Sequence, residues 1–259
     1  MSTVFIAGID SAIGGQLATD LRNLNWEVFG SSRREDSLIR GGIFHCDFSS
    51  QNSVDSCIAQ MQDQNMRADL LIVSVGVLQP IGLLGKIDFN DWEDGFVINC
   101  INPLRFIHGM LCKSVLSESA MILTFAGGGI NSAPTNYSSY TVSKVALTKS
   151  MEILAAEYPN MKFVSLGTGW IKSPIHNQTL AAGFNAGKNL DELNRRLVEN
   201  DFQPLESVSD FVLWAYGESR SIISGRNFSL ASDNWEDYKL TEELLSNPDK
   251  FKLRRFSND

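Results

Sequence analysis

Two residue patterns in this chain have the types and spacing to do chemistry. The first lies in NYSSYTVSKVALTKSMEILAAEY, where Tyr140 and Lys144 stand four residues apart in a run of helical character. At that spacing two side chains share one helix face. A phenol with an ordinary pKa of about 10 is a poor acid–base catalyst near neutrality. An ammonium beside it favours the phenolate and is expected to bring that pKa down. Tyr-x-x-x-Lys is common by chance, but here it follows an apolar run, AMILTFAG, and a glycine-rich stretch. The second pattern is the junction where TVFIAG meets GIDSAIGGQLATDL and supplies Gly8, Gly14 and Gly15. A strand-to-helix turn without bulk lets a pyrophosphate reach backbone N–H groups at the helix N-terminus. A tight turn without a ligand is the less favoured alternative.

The elements that must position these residues follow from the apolar runs. TVFIAG, WEVFGS, GIFHC, DLLIVSVG, AMILTFAG and MKFVSLG read as buried strands alternating with amphipathic segments, and GRNFSL reads as a seventh. That alternation predicts right-handed crossovers and an α/β, Rossmann-type doubly wound parallel sheet of about seven strands, with helices on both faces. With no repeat or linker, residues 1–259 are expected to form a single domain. The segment at about 173–203 carries GFNAG and many Asn, Gln and Asp residues. It reads either as a lid-like helical excursion over the C-terminal strand ends or as an ordinary surface helix pair. The tail NPDKFKLRRFSND is expected to wrap the surface or a subunit neighbour.

Composition narrows the function classes. A chain that is 43% hydrophobic and 20% charged, with net charge −8, is of ordinary globular type, not disordered. The negative balance argues against nucleic-acid or anionic-membrane partners. No apolar run approaches the ~20 residues that span a bilayer, and MSTVFIAG lacks the basic start of a signal peptide. A cytoplasmic location is expected. Cys46, Cys57, Cys100 and Cys112 are scattered, as are His45, His108 and His176, so buried thiols are expected and no metal site.

Taken together, the glycine turn, the placed Tyr140/Lys144 pair and LGTGWIKSP after the sixth run resemble the short-chain dehydrogenase/reductase family. The resemblance is strong over roughly residues 3–173 and looser beyond. It implies that Tyr140 exchanges a proton with the substrate oxygen and that Lys144 binds the nicotinamide ribose and tunes Tyr140. Asn99, in FVINCINPL, falls where the family anchors a water relay to the lysine; a helix-interior Asn bonded to backbone is the alternative. The resemblance also implies cofactor contacts from Gly8, Ser11, Ile13 and Gly14, from Asp47 and Phe48, from Gly76, and from Gly169, Ile171 and Ser173. Asp47 reads equally as an N-cap of the next helix. Where the second strand ends, an acidic residue commonly binds the ribose of NAD, but here stand Ser32, Arg33 and Arg34. Hydroxyls with a guanidinium suit a 2′-phosphate. NADP(H) is therefore favoured and NAD(H) possible.

Two features depart from the family pattern. VSVG stands where the family has N-N-A-G, keeping Gly76 alone. More seriously, the family's catalytic serine lies thirteen residues before its tyrosine, and that position here is Gly127, beside Ala126. Loss of such a donor is worth ~2–4 kcal/mol by analogy with oxyanion-hole deletions. Ser132, Thr124 or the amides of the triple glycine are the candidate replacements. The leading expectation is an NAD(P)(H)-dependent oxidoreductase moving hydride to or from a small carbonyl or alcohol carbon. The alternative is a dinucleotide-binding sensor or scaffold impaired in catalysis. A sugar-nucleotide epimerase is disfavoured by the short C-terminal part and by Ser11. Val77, Leu78, Gly128, Asn131, Tyr137, Trp170 and Phe184 are the expected substrate lining. The resemblance further implies a homodimer or homotetramer.

Overall fold

The structure is a computed structural model and describes residues 1–34 and 41–255. Residues 35–40 and the last four residues of the predicted tail lie outside the described residues. The strands are β1 (Thr3–Ala7), β2 (Glu27–Ser32), β3 (Ile43–His45), β4 (Ala68–Val73), β5 (Leu116–Ala126), β6 (Lys162–Gly167) and β7 (Arg226–Ser229). They form one sheet in the order β3-β2-β1-β4-β5-β6-β7, and every ladder is parallel. The strand order reverses between β1 and β4. Parallel sheets of this kind open a crevice at that switch point, beyond the carboxyl ends of the strands.

The helices that cross between strands are α1 (Ala12–Asn23), α2 (Gln51–Asp63), α3 (Phe89–Phe96), α4 (Asn102–Cys112) and α5 (Ser138–Glu157). Between β6 and β7 come α6 (His176–Ala182), α7 (Lys188–Glu199), α8 (Glu206–Gly217) and α9 (Arg220–Ile223), and α10 (Tyr238–Ser246) follows β7. Successive strand residues face opposite sides, so Phe5 joins the core under α4 and α5 while Ile6 joins the core under α1 and α8. Leu71 and Ile72, Ile122 and Leu123, and Phe163 and Val164 divide in the same way. This two-sided burial explains why the strands read as unbroken apolar runs instead of alternating ones.

Three details differ from, or sharpen, the sequence expectations. β5 begins at Leu116, earlier than AMILTFAG suggested, because the polar Ser117–Ser119 stretch continues the strand past a register shift against Ala68 and Leu70. Residues 173–203 fold as α6, a 3-10 turn at Gly183–Ala186 and α7. The described part of the tail is strapped to β7. Arg226 is buried and donates to the carbonyls of Leu244, Asn247 and Lys250, and Phe251 packs edge-on against Phe228.

Candidate active site

β1 delivers the glycine turn to the switch point. Gly8 adopts φ +80°, and a Cβ there would lie 2.7 Å from the Ser74 carbonyl oxygen. A Cβ on Gly14 would lie 2.3 Å from the Gly8 oxygen. Both positions therefore require glycine, the first for its backbone conformation and the second for the close approach of α1 to β1. Ser11 is the N-cap of α1: its hydroxyl accepts from the Gly14 amide at 2.9 Å and pairs with the Ser74 hydroxyl at 2.8 Å. The first amides of α1, those of Ala12 and Ile13, have no acceptor within the helix and open at its positive end. The Ile13 side chain packs into the core beside α1, so that residue can contribute through its backbone. A cradle without side-chain bulk at a helix N-terminus fits a dinucleotide pyrophosphate.

At the end of β2 the Ser32 hydroxyl donates a hydrogen bond to the carboxylate of Asp10, and the Arg34 Nε lies 3.4 Å from the same oxygen. Arg33 is exposed at this edge. Past β3, Asp47 accepts from the amide and hydroxyl of Ser49 at 2.9 and 2.8 Å. The N-cap of α2 is Ser50, not Asp47, because Asp47 stands one turn too early and closes its own short loop instead. The ring of Phe48 is buried against Phe106 and its carbonyl accepts from Asn102 at 2.8 Å. Its side chain therefore belongs to the core and cannot face a ligand.

α5 places Tyr140 and Lys144 on one face, as their spacing requires. Lys144 is 4% exposed, and its Nζ donates to the Val75 carbonyl at 3.1 Å. Burial brings its pKa down to about 8, with Cys100 opposing that shift. Tyr140 is partly buried, and the Lys144 Nζ stands 6.0 Å from its ring centroid. The sequence expectation of a lowered phenol pKa is overturned. Burial, helped by Tyr137, pushes Tyr140 up to about 12, because desolvation disfavours the charged phenolate. Asn99 is fully buried in a π-helical turn, Val97–Ile101, joining α3 to α4. Its side chain exchanges two hydrogen bonds of 2.9 Å with the amide and carbonyl of Val77. Such a wide turn interrupts the regular helical ladder and often marks a site. Gly76 completes the group: a Cβ there would lie 3.4 Å from the Asn99 side-chain oxygen and 3.5 Å from the Lys144 Nζ.

Gly127 lies directly under the phenol. A Cβ at this position would stand 2.8 and 3.0 Å from Tyr140 ring carbons and 3.0 Å from the Lys144 Cγ. Thr124 is buried in β5 and pairs with Ser165 at 3.2 Å, so it does not reach the phenol side of the loop. Ser132 is exposed.

After β6, Ile171 is 5% exposed and its carbonyl is paired at 2.8 Å with the His176 Nε2. Ser173 accepts the His176 amide at 3.2 Å. Gly169 lies next to Gln203 and Ala231, and Trp170 stacks on His176 at 5.2 Å with the Arg196 guanidinium over its ring. α6 and α7 close over the phenol: Ile175, Ala182, Ala186 and Leu190 pack with Leu78, Ile81, Tyr137 and Tyr140. The Gln178 side-chain Oε1 accepts from the amides of Leu78 and Gln79 at 2.9 and 3.2 Å, and Tyr137 bonds Thr179 at 2.6 Å. Phe184 does not line the site as expected; its ring is fully exposed, because the 3-10 turn carrying it projects outward. Asp10, Ser74, Gln178 and Thr179 were not singled out from sequence. Of these only Asp10, an acid inside a glycine turn, left a visible mark there.

The comparisons with known proteins agree with this geometry. A family model described as enoyl-(acyl carrier protein) reductase matches residues 8–231. A fatty acyl-CoA reductase of Acinetobacter baylyi is 25% identical over 59% of this chain and 56% of its own length. The chain thus spans little more than half of that relative. A 3-oxoacyl-[acyl-carrier-protein] reductase of Buchnera aphidicola is 22% identical, over 86% of this chain and 93% of that one. Among solved structures, a short-chain dehydrogenase/reductase from Saccharomyces cerevisiae superposes with TM-score 0.76 at 18% identity, covering 93% and 99% of the two chains. An actinorhodin polyketide ketoreductase with NADPH superposes with TM-score 0.74 at 17% identity, over 88% and 95%.

Proposed function

The chain belongs to the short-chain dehydrogenase/reductase family, and on that premise we propose an NAD(P)(H)-dependent oxidoreductase acting on a small carbonyl or alcohol substrate. The observation that carries this reading is the convergence of Tyr140, buried Lys144 and Asn99 beside the glycine cradle, at the carboxyl ends of β4 and β5. A dinucleotide-binding module without chemistry has no need of that group. Gly8, Ser11, Ile13 and Gly14 would hold the pyrophosphate, and Asp47 and Gly76 would flank the adenosine. Gly169, Ile171 and Ser173 would hold the nicotinamide end. Phe48 contributes backbone only. Ser32 and Arg33, with Arg34 beside them, support NADP(H) over NAD(H).

When bound, the nicotinamide supplies or takes the hydride. Tyr140, protonated at neutral pH, donates its proton to the carbonyl oxygen as that oxygen gains charge. Lys144, still cationic below about pH 8, would orient the ribose and stabilise the phenolate that proton loss leaves behind. Asn99 anchors the path by which Tyr140 is reprotonated, its side chain fixing the backbone at Val77. The place of the family serine is taken by Gly127. The amides of Gly127, Gly128 and Gly129 make no hydrogen bond among the described residues, which supports them as donors to the substrate oxygen. Residues 173–203 act as a lid on a single domain, latched by Gln178 and Thr179. Exposed Val142 and Ile153 on α5 support pairing of copies in a dimer or tetramer, and four free cysteines suit the cytoplasm.

The test is turnover of a carbonyl panel followed at 340 nm with NADPH. Tyr140→Phe is expected to lower kcat by at least ~10²-fold with NADPH affinity intact, while Ser132→Ala has little effect. Tight NADPH binding without turnover across the panel would favour the sensor reading instead.

A further inference from the structure

The crevice beyond β1 and β2 holds a carboxylate that the dinucleotide reading above does not use. Asp10 lies inside the glycine turn, one residue before the N-cap Ser11, so it does not cap α1. Its side chain is 24% exposed, against 59% for Arg34. One carboxylate oxygen, Oδ2, accepts from both the Ser32 hydroxyl and the Arg34 Nε. The Arg34 amide in turn donates to the Ser32 hydroxyl at 2.9 Å. The turn itself is pinned to this edge, since the amides of Gly8 and Ile9 both donate to the Ser31 carbonyl, at 3.1 and 3.0 Å. The acid is therefore held by hydrogen bonds among the residues that would meet the adenosine ribose, with part of its side chain open to solvent.

We propose that Asp10 is a specificity-determining residue that narrows discrimination between the two dinucleotides, a proposal that rests on the dinucleotide reading of the site. A carboxylate accepts a hydrogen bond from a ribose 2′-hydroxyl, and it repels a 2′-phosphate at the same place. Ser32, Arg33 and Arg34 favour the phosphate, and Asp10 opposes them by pairing with two of the three. The cradle thus carries both signs at one edge. Its balance is set by the acid on the glycine turn, since the described residues at the end of β2, where NAD-preferring sites commonly carry theirs, are Ser32, Arg33 and Arg34 and include none. Asn is the informative replacement, because it keeps the shape and the hydrogen bond to Ser32 while removing the charge.

The experiment is a fluorescence titration of the wild-type chain and of Asp10→Asn with NADPH, NADH and 2′,5′-ADP, with thermal unfolding as a check on the fold. Wild type is expected to hold NADPH and NADH with dissociation constants within about tenfold of one another. In Asp10→Asn the ratio should move toward NADPH by about tenfold, the effect of one like charge removed from a partly exposed site. 2′,5′-ADP should tighten in parallel. Asp10→Ser gives the same reading should the Asn variant unfold. An unchanged ratio, with both affinities moving together, overturns the proposal and makes Asp10 a purely structural brace of the turn. Weaker NADPH binding with NADH unaltered also overturns it, since Asp10 would then be serving the phosphate by holding Arg34. If wild type binds neither dinucleotide, the dinucleotide reading fails and takes this role with it.

Discussion

Replacing Lys144 with methionine should make the protein more stable while destroying its activity, and the gain should depend on pH in one direction. Lys144 is 4% exposed and its pKa falls from 10.5 to about 8. Burial is the cause, and the folded state therefore disfavours the ammonium. At about 1.4 kcal/mol per unit, carrying the charge costs the folded state roughly 3 kcal/mol. For a base whose folded-state pKa is depressed, that cost is present in full below about pH 8. It fades as pH rises toward 10.5, where the unfolded chain also loses the proton. Methionine has a similar length and no charge, but it leaves the Val75 carbonyl without its 3.1 Å partner, which costs about 1 kcal/mol. The net expectation near neutrality is about 2 kcal/mol of added stability, or a Tm higher by roughly 4–8 °C for a chain of this size. Thermal unfolding followed by circular dichroism between about pH 6.5 and 10.5 reads the effect directly. The advantage should vanish at the alkaline end. A Lys144→Met variant less stable than wild type near neutrality, or one whose advantage is the same at every pH, would refute the reasoning.

Further expectations concern the same site. Gly127→Ser, which installs the family's hydroxyl, should destabilise by about 1–3 kcal/mol and lower turnover, because its Cβ would press on the Tyr140 ring and the Lys144 stem; increased turnover would show that the backbone amides are not sufficient. In the reductive direction kcat/KM should be level around neutrality and fall above about pH 8 as Lys144 deprotonates, with Tyr140 still protonated. A profile flat to pH 10 would contradict that assignment. Thr179→Val removes the 2.6 Å partner of Tyr137, which should ease opening of residues 173–203 by about 1 kcal/mol. Amide exchange there should quicken about fivefold while the sheet is unaffected. Equal exchange rates would mean that this hydrogen bond is not a latch.

The family and the fold class were legible in the sequence, because the signals that carry them are local. Apolar runs mark the strands, most clearly β1 and β4 and the second half of β5, which are buried on both faces and leave no polar phase in the pattern. The glycines at positions 8 and 14 mark their turn because a Cβ at either would strike backbone. Tyr140 and Lys144 meet because helical spacing alone brings them to one face. What tertiary structure decided is the environment around those residues. The Tyr140 pKa rises where its lysine neighbour suggested a fall, because burial depends on α6, α7 and Tyr137 closing over it and not on the residue four positions on. Asp47 and Phe48 look alike as candidate contacts in the chain, yet one closes a small loop and the other fills the core against Phe106. Gln178 reaches Leu78, 100 residues away, and Asp10 meets Ser32 and Arg34 across the sheet edge. Spacing along the chain records no such pairing, for it exists only once the strands lie side by side.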